Sequence, residues 1–534
     1  KRSPSYGNQF VWTNVLGPKG DSIVIDQQQD ISFHGIDIES WSWGNLTNEK
    51  IKIHYPAALN VSNTGFLSIF MAHGGNHRIA DARYFDLDAD NILIIGSDVE
   101  KPANAGLALG KNVRNYVALN ARDIGIRVSN TSTRVIEYFR DEVPGLHVNG
   151  QSIPKHRLNP ADARHVENLV RQDQRLGEAW EKPVFADAPC PPDRSPPNEP
   201  AGSPDASDHI QSLIDRFNFA HLGPGLYSLS KPIRLKSGQG VIGSGMCKTI
   251  IRARNPAMDL VVGADRIQGE LKATWFVVAD LTLQGGRHGI HHDASGAGQG
   301  AQFHRSIVSH VVFRNMSQSA IQLENIYGWD NNFLDHVHFI DNKAAITQRP
   351  DSKYRGGDIP GTTYMDKNVC YRCRFEGNDI ALDMPGVRAN GLNAFIDSLF
   401  KKNRLVIRAI NPLANFFANT VFLDNSGNPA IETNKTLGFY RSYFTQAMPG
   451  SLFHQFAICN GCEFDLLHPQ ARLLHQDESD NARQIMLISS KSAQPFPALT
   501  GSGLLMNSRT STAPARHTME KPDPQAGPRI TESR

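Results

Sequence analysis

The sequence predicts an all-β solenoid, in which short coils of chain stack on one another. A phenylalanine recurs through the second half of the chain, with a small or β-branched residue two places before it and, in most coils, an asparagine two or three places after it. Successive anchors are 26, 36, 25, 22, 22 and 20 residues apart, near a coil period of about 20 to 25 residues. One coil cannot bury its apolar face alone, so stacked neighbours must supply the core. The anchors are Phe313, Phe339, Phe375, Phe400, Phe422, Phe444 and Phe464.

The chain around each anchor alternates as a strand does. Because successive side chains of a strand face opposite sides, Val337 and Phe339 are predicted to face the interior, and His336 and His338 the solvent. An asparagine after the anchor suits a turn, since its amide tolerates left-handed backbone and can hydrogen-bond its neighbour. We therefore expect an internal asparagine ladder. Its predicted members are Asn315, Asn342, Asn378, Asn403 and Asn425.

The segment that precedes the coils indicates how the solenoid begins. DHIQSLIDRF carries apolar residues at helical spacing, which suits a cap over a solenoid end. LGPGLYSLSKPIRLKSGQGVIGSGMCKTII follows with a Pro-Gly turn and glycine-punctuated strands. Together with the coils, residues 205–495 resemble the right-handed parallel β-helix family that contains pectate lyases, polygalacturonases and phage tailspike depolymerases. The resemblance implies a right-handed single-stranded parallel β-helix and a polysaccharide ligand met outside the cell, and it is specific for fold rather than activity.

Composition divides the chain into four segments. Residues 1–150 are predicted to form a β-rich unit, interpreted as a partial β-helix packed beside the main one, because DISFHGIDIES and NILIIGSDVE repeat the strand-and-turn pattern. Residues 151–207 combine a helical segment with a linker too rich in Pro, Ser and Asp to fold alone. Residues 208–500 are the predicted pectate-lyase-like β-helix, and residues 501–534 a disordered tail.

Charge and hydropathy narrow the function classes. The net charge of +2 is made of mixed charges, so no nucleic-acid-binding surface is indicated. The sequence contains no run of 18 apolar residues, and no membrane span is predicted. The chain begins at Lys1 without an initiator methionine or a signal peptide, which we interpret as a processed or trimmed secreted protein.

Two C-x-x-C pairs raise the question of a zinc site. The pairs Cys370–Cys373 and Cys459–Cys462 lie at the same offsets from Phe375 and Phe464, which are four coils apart. At about 4.8 Å per coil the pairs would be about 19 Å apart, too far to share one ion. The cysteines are predicted to pack in the interior or its turns, with a local disulfide left open and no metal bound.

The strand after each asparagine turn supplies a candidate catalytic face, because the working groups of pectate-lyase-like families stand outward from one sheet on neighbouring coils. Alternation through GRHGIHHD places His291 and Asp293 outward on one coil. Alternation through AIQLEN places Gln322 and Glu324 outward on the next coil. Asp293 and Glu324 would then lie about 5 Å apart at the backbone. The following coils add Thr347, Arg349, Asp383 and Arg408.

Paired carboxylates are the groups that sugar-polymer cleavage requires. Two carboxylates that flank a glycosidic bond divide the acid and the nucleophile or base roles, with separations near 5 Å favouring retention and about 6.5 to 9.5 Å favouring inversion. Asp293 and Glu324 are the predicted catalytic pair, and Asp383 is the third candidate. Arg349 and Arg408 are predicted to bind anionic groups of the substrate, with His291 and Gln322 beside them.

Other side chains are also predicted to bind substrate. His288, ahead of Gly289, is similar to the Gly-His-Gly element of polygalacturonases, although the Asn-Thr-Asp, Asp-Asp and Arg-Ile-Lys elements of that family are missing. Trp329 is interpreted either as a platform for a sugar ring or as an aromatic that caps the core. A basic ladder on the preceding strand is a rival site that would bind an acidic polymer or supply a lyase base; the other interpretation is a solvated polar face. This ladder contains His310, His336, His338, Arg372, Arg374, Glu376, Asp397 and Lys401.

The sequence therefore predicts a secreted, extracellular or periplasmic carbohydrate-active enzyme, namely a glycoside hydrolase that cleaves within a polysaccharide. The first alternative is a polysaccharide lyase or uronate epimerase, and the second is a non-catalytic binding or adhesive solenoid. No metal or cofactor is predicted, and Ca²⁺ belongs only to the lyase alternative. The expected partner is a polysaccharide, acidic if the arginines take part. The sequence leaves the oligomeric state open.

Overall fold

The structure is a computed structural model of all 534 residues. It describes residues 8–16, 23–26, 30–39, 59–75, 85–99, 107–122, 125–138, 147–148, 151–152, 160–177, 183, 185, 204–263, 273–293, 302–324, 328–349, 364–384, 389–391, 393–409, 412–413, 415–433, 437–447, 449–454, 456–474, 484–488, 490–492, 504–506 and 509–510. Most of the predicted linker and tail lies outside these ranges.

The second half of the chain folds as a right-handed parallel β-helix, as predicted. Six central coils pass through three parallel sheets in a fixed order, and the coils before and after them have no described strand in the short sheet. A strand of the short sheet comes first, then two strands of the bent long sheet, and then a strand of the middle sheet. One coil, for example, consists of Gly328–Asp330, Phe333–Asp335, His338–Ile340 and Ala344–Arg349.

The long sheet is bent, so most coils contribute two strands to it. Phe276–Gln284 and Ile307–Arg314 run through the bend as single strands. The other strands of the first limb are Phe219–His221, Gln239–Ile242, Phe333–Asp335, Val369–Tyr371, Ala394–Ile396, Phe416–Ala418, Leu437–Tyr440, Phe456–Asn460, Gln484–Ile488 and Leu504–Met506. The other strands of the second limb are Gly225–Leu229, Thr249–Ala253, His338–Ile340, Arg374–Glu376, Leu399–Lys401, Val421–Leu423, Tyr443–Thr445, Glu463–Asp465, Lys491–Ser492 and Arg509–Thr510.

The other two sheets of the β-helix are also parallel. The middle sheet consists of Ile233–Leu235, Val261–Gly263, His288–Asp293, Ser319–Glu324, Ala344–Arg349, Ile380–Met384, Leu405–Ala409, Ile431–Thr433, Gly450–Phe453 and Ala471–Leu474. The short sheet consists of Ala273–Thr274, Gln302–His304, Gly328–Asp330, Tyr364–Asp366, Ala389–Gly391 and Pro412–Leu413. Since Leu504–Met506 and Arg509–Thr510 still pair with the long sheet, the β-helix continues past its predicted end at residue 500.

The phenylalanine anchors form one stacked column inside the second limb. Each anchor is the register partner of the next, from Phe313 to Phe464. The successive ring centroids are 5.3, 4.8, 4.4, 5.2, 4.7 and 5.0 Å apart. A second aromatic column, Phe395, Phe417 and Phe439, packs edge-on against the first. Buried, mutually contacting rings of this kind add a large apolar area to the core that holds the coils together.

The predicted asparagine ladder exists, but Asn315 is not part of it. Asn342, Asn378, Asn403 and Asn425 are buried, and each Nδ2 donates to Oδ1 of the next member at 3.0 Å. Asn315 lies one position earlier in its coil, where it is exposed with a left-handed φ of 58°. Met316 occupies the ladder position of that coil, and its N–H donates to Asn342 Oδ1.

A second asparagine ladder follows the short sheet and was not predicted. Asn332, Asn368, Asn393 and Asn415 are buried and bond in the same way at 2.8 to 2.9 Å. Their spacings of 36, 25 and 22 residues equal those of the neighbouring phenylalanine anchors, a signal that would have identified them.

The cysteines occupy the interior, as expected. Cys370, Cys373, Cys459 and Cys462 are buried free thiols, so neither pair forms the local disulfide that the sequence left open. Register partners Cys370, Phe395, Phe417, Phe439 and Cys459 confirm the separation of four coils between the pairs. Burial raises the pKa values of the Cys370 and Cys459 thiols well above their ordinary value.

The predicted cap helix closes one end of the solenoid. Ser207–Phe217 buries Ile210 and Ile214 in the main core cluster, and it contacts the first strands of the long and middle sheets. A longer helix, Pro160–Gly177, lies in the segment predicted to be helical. No helix among the described residues is both long and apolar enough to span a membrane.

The N-terminal unit is a smaller sheet of its own. Its strands are parallel except for the last pair, which is antiparallel. They are Asn8–Leu16, Ile23–Asp26, Asp30–Glu39, Leu59–Gly75, Phe85–Val99, Leu107–Leu109, Asn115–Arg122, Gly125–Val128, Arg134–Tyr138, His147–Val148 and Gln151–Ser152.

The N-terminal unit packs against the outer surface of the first limb. Phe70 and Ile95 share a buried cluster with Phe416 and Tyr440. Gly35 has a φ of 74°, and a Cβ there would lie 2.1 Å from the Phe416 ring, so only glycine allows this close approach. The unit therefore covers one face of the β-helix rather than either of its ends.

We predict that replacing Asn403 by alanine destabilises the protein by about 1 to 3 kcal/mol, because buried ladder partners lose their hydrogen bonds. Asn403 accepts from the N–H and Nδ2 of Asn378 and donates to Phe375 O and Asn425 Oδ1. Denaturant unfolding checks the change. The control is Asn315→Gly, which suits the left-handed backbone and should change stability by less than about 0.5 kcal/mol. Equal losses in both variants would contradict a special role for the ladder.

Candidate functional site

The outward face of the middle sheet brings together most of the predicted site residues. Asp293 pairs in register with Glu324, and Glu324 with Arg349, so the predicted one-coil separation is present in the backbone. The side chain of Asp293 lies outside what the structure describes. The adjacent column runs from one register partner to the next through His291, Gln322, Thr347, Asp383, Arg408 and Glu432.

Glu324 is the accessible carboxylate at the centre of this face. Its side chain is 37% exposed, and its Oε2 lies 3.6 Å from His291 Nε2. Gln322 Nε2 donates to Glu324 Oε1 at 2.8 Å. Ser319 Oγ lies 2.8 Å from both Gln322 Oε1 and Thr347 Oγ1. Glu324 is therefore oriented from two sides while part of its surface faces solvent.

Asp259, one coil before His291, was not predicted and organises the buried side of the site. Its carboxylate accepts two hydrogen bonds from Arg287, at 2.8 and 2.6 Å, and one from His291 Nδ1 at 2.8 Å. Burial alone would raise the pKa of Asp259, but hydrogen bonds from Arg287 and His291 and the positive charge of His291 hold that pKa below its ordinary value. Asp259 is thus a fixed negative charge behind the imidazole.

The two histidines of this cluster have opposite electrostatics. Burial lowers the pKa of His291, but hydrogen bonds and negative charge from Asp259 and Glu324 outweigh it and raise the pKa to about 9. His291 is therefore cationic at neutral pH. Burial and the positive charge of His291 lower the pKa of His288 to about 4. Its imidazole is neutral, and its buried Nδ1 has no hydrogen-bond partner among the described residues.

Asp383, the third predicted catalytic carboxylate, lies in a buried ion pair with two arginines. It is buried, with Arg349 Nη2 donating to Oδ2 at 2.6 Å and Arg408 Nε and Nη2 each 2.8 Å from Oδ1. Two guanidinium groups hold this carboxylate as an ion-pair centre, because a buried charge must be compensated. The two arginines are partly exposed, so they remain candidate contacts for an anionic substrate.

Several predicted substrate contacts are buried. Trp329 is 1% exposed in the main core, so its role as a sugar platform is wrong and the core interpretation is correct. His288, His291 and Gln322 are also buried. His291 and Gln322 contact Glu324, and His288 lies against the His291 ring, so none of them offers a surface to a polymer. Burial of an apolar ring or a hydrogen-bonded polar group removes the area that a ligand would contact.

The rival basic ladder carries less free positive charge than its sequence indicates. Arg374, one of the predicted binding residues, is buried and donates to Glu376 Oε2 at 2.7 Å. Burial, followed by the charge of Arg374, lowers the pKa of His338 to about 4, so this imidazole carries no charge at neutral pH. His336 and Arg372 keep partly exposed side chains, but both occupy the bend of the long sheet with left-handed backbone rather than a strand.

One trio of side chains on this face has the donor set of a metal site. Donor atoms of Asp259, His288 and His291 all lie within 4.8 Å of one another, and all three residues are buried. The Arg287 guanidinium already donates a hydrogen bond to each oxygen of the Asp259 carboxylate. Its positive charge opposes binding of a further cation there. The predicted absence of a metal or cofactor stays a prediction.

Comparisons with known proteins add little to this picture. No protein-family model matches the sequence, and no curated protein matches it. Among solved structures, ORF18 of Geobacillus virus E2 is similar at 13% identity and a TM-score of 0.34, covering 70% of this chain and 68% of that chain.

Two A-modules of Azotobacter vinelandii mannuronan C-5 epimerases are also similar. The AlgE6 module is 12% identical with a TM-score of 0.24, and the AlgE4 module 14% identical with a TM-score of 0.22. Each comparison covers 58% of this chain and 96% of the module. TM-scores this far below 0.5 identify no shared site, so the chemistry must be inferred from the side chains of this chain.

We predict that Asp259→Asn lowers the pKa of His291 well below about 9, because the substitution removes an anionic acceptor. Nuclear magnetic resonance titration of the imidazole measures it. The control is Asp379→Asn. This substitution removes a carboxylate paired with Arg404 and should leave the pKa of His291 unchanged. A His291 that titrates near 6.5 in the unmodified protein would contradict the proposed electrostatics.

The raised pKa of His291 also predicts a pH-dependent stability. Its ordinary pKa is 6.5 and its folded pKa is about 9, so the stabilisation by the protonated imidazole is complete below pH 6.5 and is lost as the pH rises through about 9. The difference in unfolding free energy between the unmodified protein and His291→Gln should shrink over this interval. If the difference in unfolding free energy stays constant between pH 6 and about pH 10, the raised pKa of His291 is contradicted.

Proposed function

We propose that this protein is a carbohydrate-active enzyme that cleaves a polysaccharide lying along the outward face of the middle sheet. The observation that carries the proposal is Glu324, a partly exposed carboxylate held by Gln322 and His291 and paired in register with Asp293. Adjacent parallel strands set their paired positions about 4.8 Å apart. This spacing supports a glycoside hydrolase in which two carboxylates act on one bond.

The surroundings of Glu324 favour a definite division of roles. Cationic His291, 3.6 Å away, stabilises negative charge on Glu324, so we assign Glu324 as the nucleophile and Asp293 as the acid. Glu324 would attack the anomeric carbon while Asp293 gives its proton to the departing glycosidic oxygen. Water, deprotonated by Asp293, would then release the sugar from Glu324, with retained configuration.

The second candidate is a polysaccharide lyase or uronate epimerase. The observation that favours it is the position of Arg349, one strand from Glu324 and partly exposed, where its guanidinium can hold a uronate carboxylate. Neutralising that carboxylate would acidify the C5 proton of the sugar. A lyase would produce an unsaturated sugar that absorbs in the near ultraviolet, an epimerase would change the uronate composition, and a hydrolase would yield only new reducing ends.

We predict that Glu324→Gln and Asp293→Asn each lower cleavage of a responsive polysaccharide by about 10²- to 10⁴-fold. The assay is release of reducing ends from a panel of neutral and acidic polysaccharides, with the anomeric configuration of the first product followed by nuclear magnetic resonance. The matched control is Glu432→Gln, an exposed carboxylate at the far end of the adjacent column that begins at His291. Full activity in both site variants would refute the assignment, and no activity on any polysaccharide would favour a binding protein.

We predict that Arg349→Gln raises the KM for an acidic polysaccharide by about tenfold or more, since a charged hydrogen bond contributes about 1.5 to 3 kcal/mol. The KM for a neutral polymer should not change. Arg404→Gln is the control, because Arg404 is also exposed and paired with an aspartate. An equal effect on acidic and neutral polymers would show that Arg349 acts through Asp383 rather than on the substrate.

A further inference from the structure

The bend of the long sheet carries a second trio of donor side chains, which the proposed cleavage does not use. His310 and His336 occupy the bend on successive coils, with imidazole centroids 4.8 Å apart and ring planes 11° apart. Asp335 lies between them. Its Oδ1 is 2.7 Å from His336 Nδ1, and its Oδ2 is 3.9 Å from His310 Nδ1. One donor atom from each residue lies within 4.8 Å of the other two.

The backbone does not require histidine at these positions. Other coils place different residue types at the same bend with the same left-handed φ of about 50°. The pair of histidines is therefore a property of two coils, not of the fold. The equivalent residues in other coils are Asp280, Arg372, Asp397, Asn419 and Arg441.

The trio is reachable, and no arginine or lysine among the described residues pairs with its carboxylate. All three side chains are partly exposed. The nearest guanidinium along the bend, Arg372, lies 3.9 Å from Asp397, so it is engaged by a different carboxylate. Ser309 Oγ lies 2.9 Å from His310 Nδ1 and 3.2 Å from Asp335 Oδ2, so it links these two residues.

We propose that His310, Asp335 and His336 bind a divalent transition-metal ion, with Zn²⁺ as the best match. Imidazole suits Zn²⁺, Ni²⁺ and Cu²⁺, whereas Ca²⁺ and Mg²⁺ prefer oxygen-only sites. Three protein ligands leave at least one coordination position for water or for an anionic group. The ion would replace the proton between His336 and Asp335 and would join two successive coils. It lies on a different sheet from Glu324, so the site does not depend on the proposed cleavage.

The test is titration of the untagged full-length chain, after treatment with a chelator, by calorimetry with Zn²⁺ and by visible absorption with Co²⁺. We expect one tight equivalent, with a Co²⁺ spectrum that lacks thiolate charge-transfer bands. His310→Asn and His336→Asn should each weaken binding by about 10- to 100-fold or more. Asparagine is chosen because Asn419 occupies the equivalent bend position, so both variants should fold. Zn²⁺ should raise the Tm of the unmodified protein more than that of either variant.

Two controls make the result decisive. His221→Asn removes an exposed histidine outside both trios and should leave binding unchanged. His288→Asn tests the buried trio on the middle sheet. The proposal is overturned if Zn²⁺ does not bind, if the two bend variants bind it as well as the unmodified protein, or if His288→Asn alone abolishes binding.

Discussion

Every functional feature of this molecule requires successive coils to keep the same register. Backbone hydrogen bonds between parallel strands set the spacing, but they would be equally satisfied by a shifted pairing, which would change the side chains that meet. The stacked phenylalanines and the two asparagine ladders oppose such a shift, because each ring and each amide fits only its counterpart in the next coil. Asp293 and Glu324, more than 30 positions apart in the sequence, become neighbours for this reason.

The same register explains how much of the structure the sequence could predict. Phe339 and Asn342 recur at constant offsets, so their columns were identifiable from spacing alone. Asn315 was misplaced because it sits two residues after its anchor whereas the ladder uses the third position, held there by Met316. Asp259 was missed because its own coil carries no phenylalanine in the anchor column: Ile251 holds that position and pairs with Leu283 of the next coil, which in turn pairs with Phe313. A spacing rule based on aromatic residues cannot extend to coils whose interior is aliphatic.

Alternation predicted which side chains of the middle sheet face outward, but not which are accessible. Asp383 and Glu324 both occupy outward positions, yet one is enclosed by two guanidinium groups and the other is partly open. The difference comes from neighbours contributed by coils before and after, whose rotamers are not encoded in any local pattern. For the same reason, Trp329 could be interpreted either as a platform or as core, and only packing decided between them. Charge pairing across coils therefore determines which carboxylate stays accessible among several that alternation treats as equivalent.

The N-terminal unit covers one apolar face of the solenoid and leaves the middle sheet uncovered. An exposed apolar face would favour association, and Phe416 and Tyr440 on the first limb form such a face, which Phe70 and Ile95 cover. The contact buries polar groups as well. Asp173 accepts from Ser68 and Asn460, burial raises its pKa, and burial lowers the pKa of His34 to about 3. His34 is thereby kept neutral, and burial opposes ionisation of Asp173, because an uncompensated buried charge is costly. Since the unit packs on the long sheet, it buries apolar side chains of the first limb and does not cover the middle sheet where Glu324 lies.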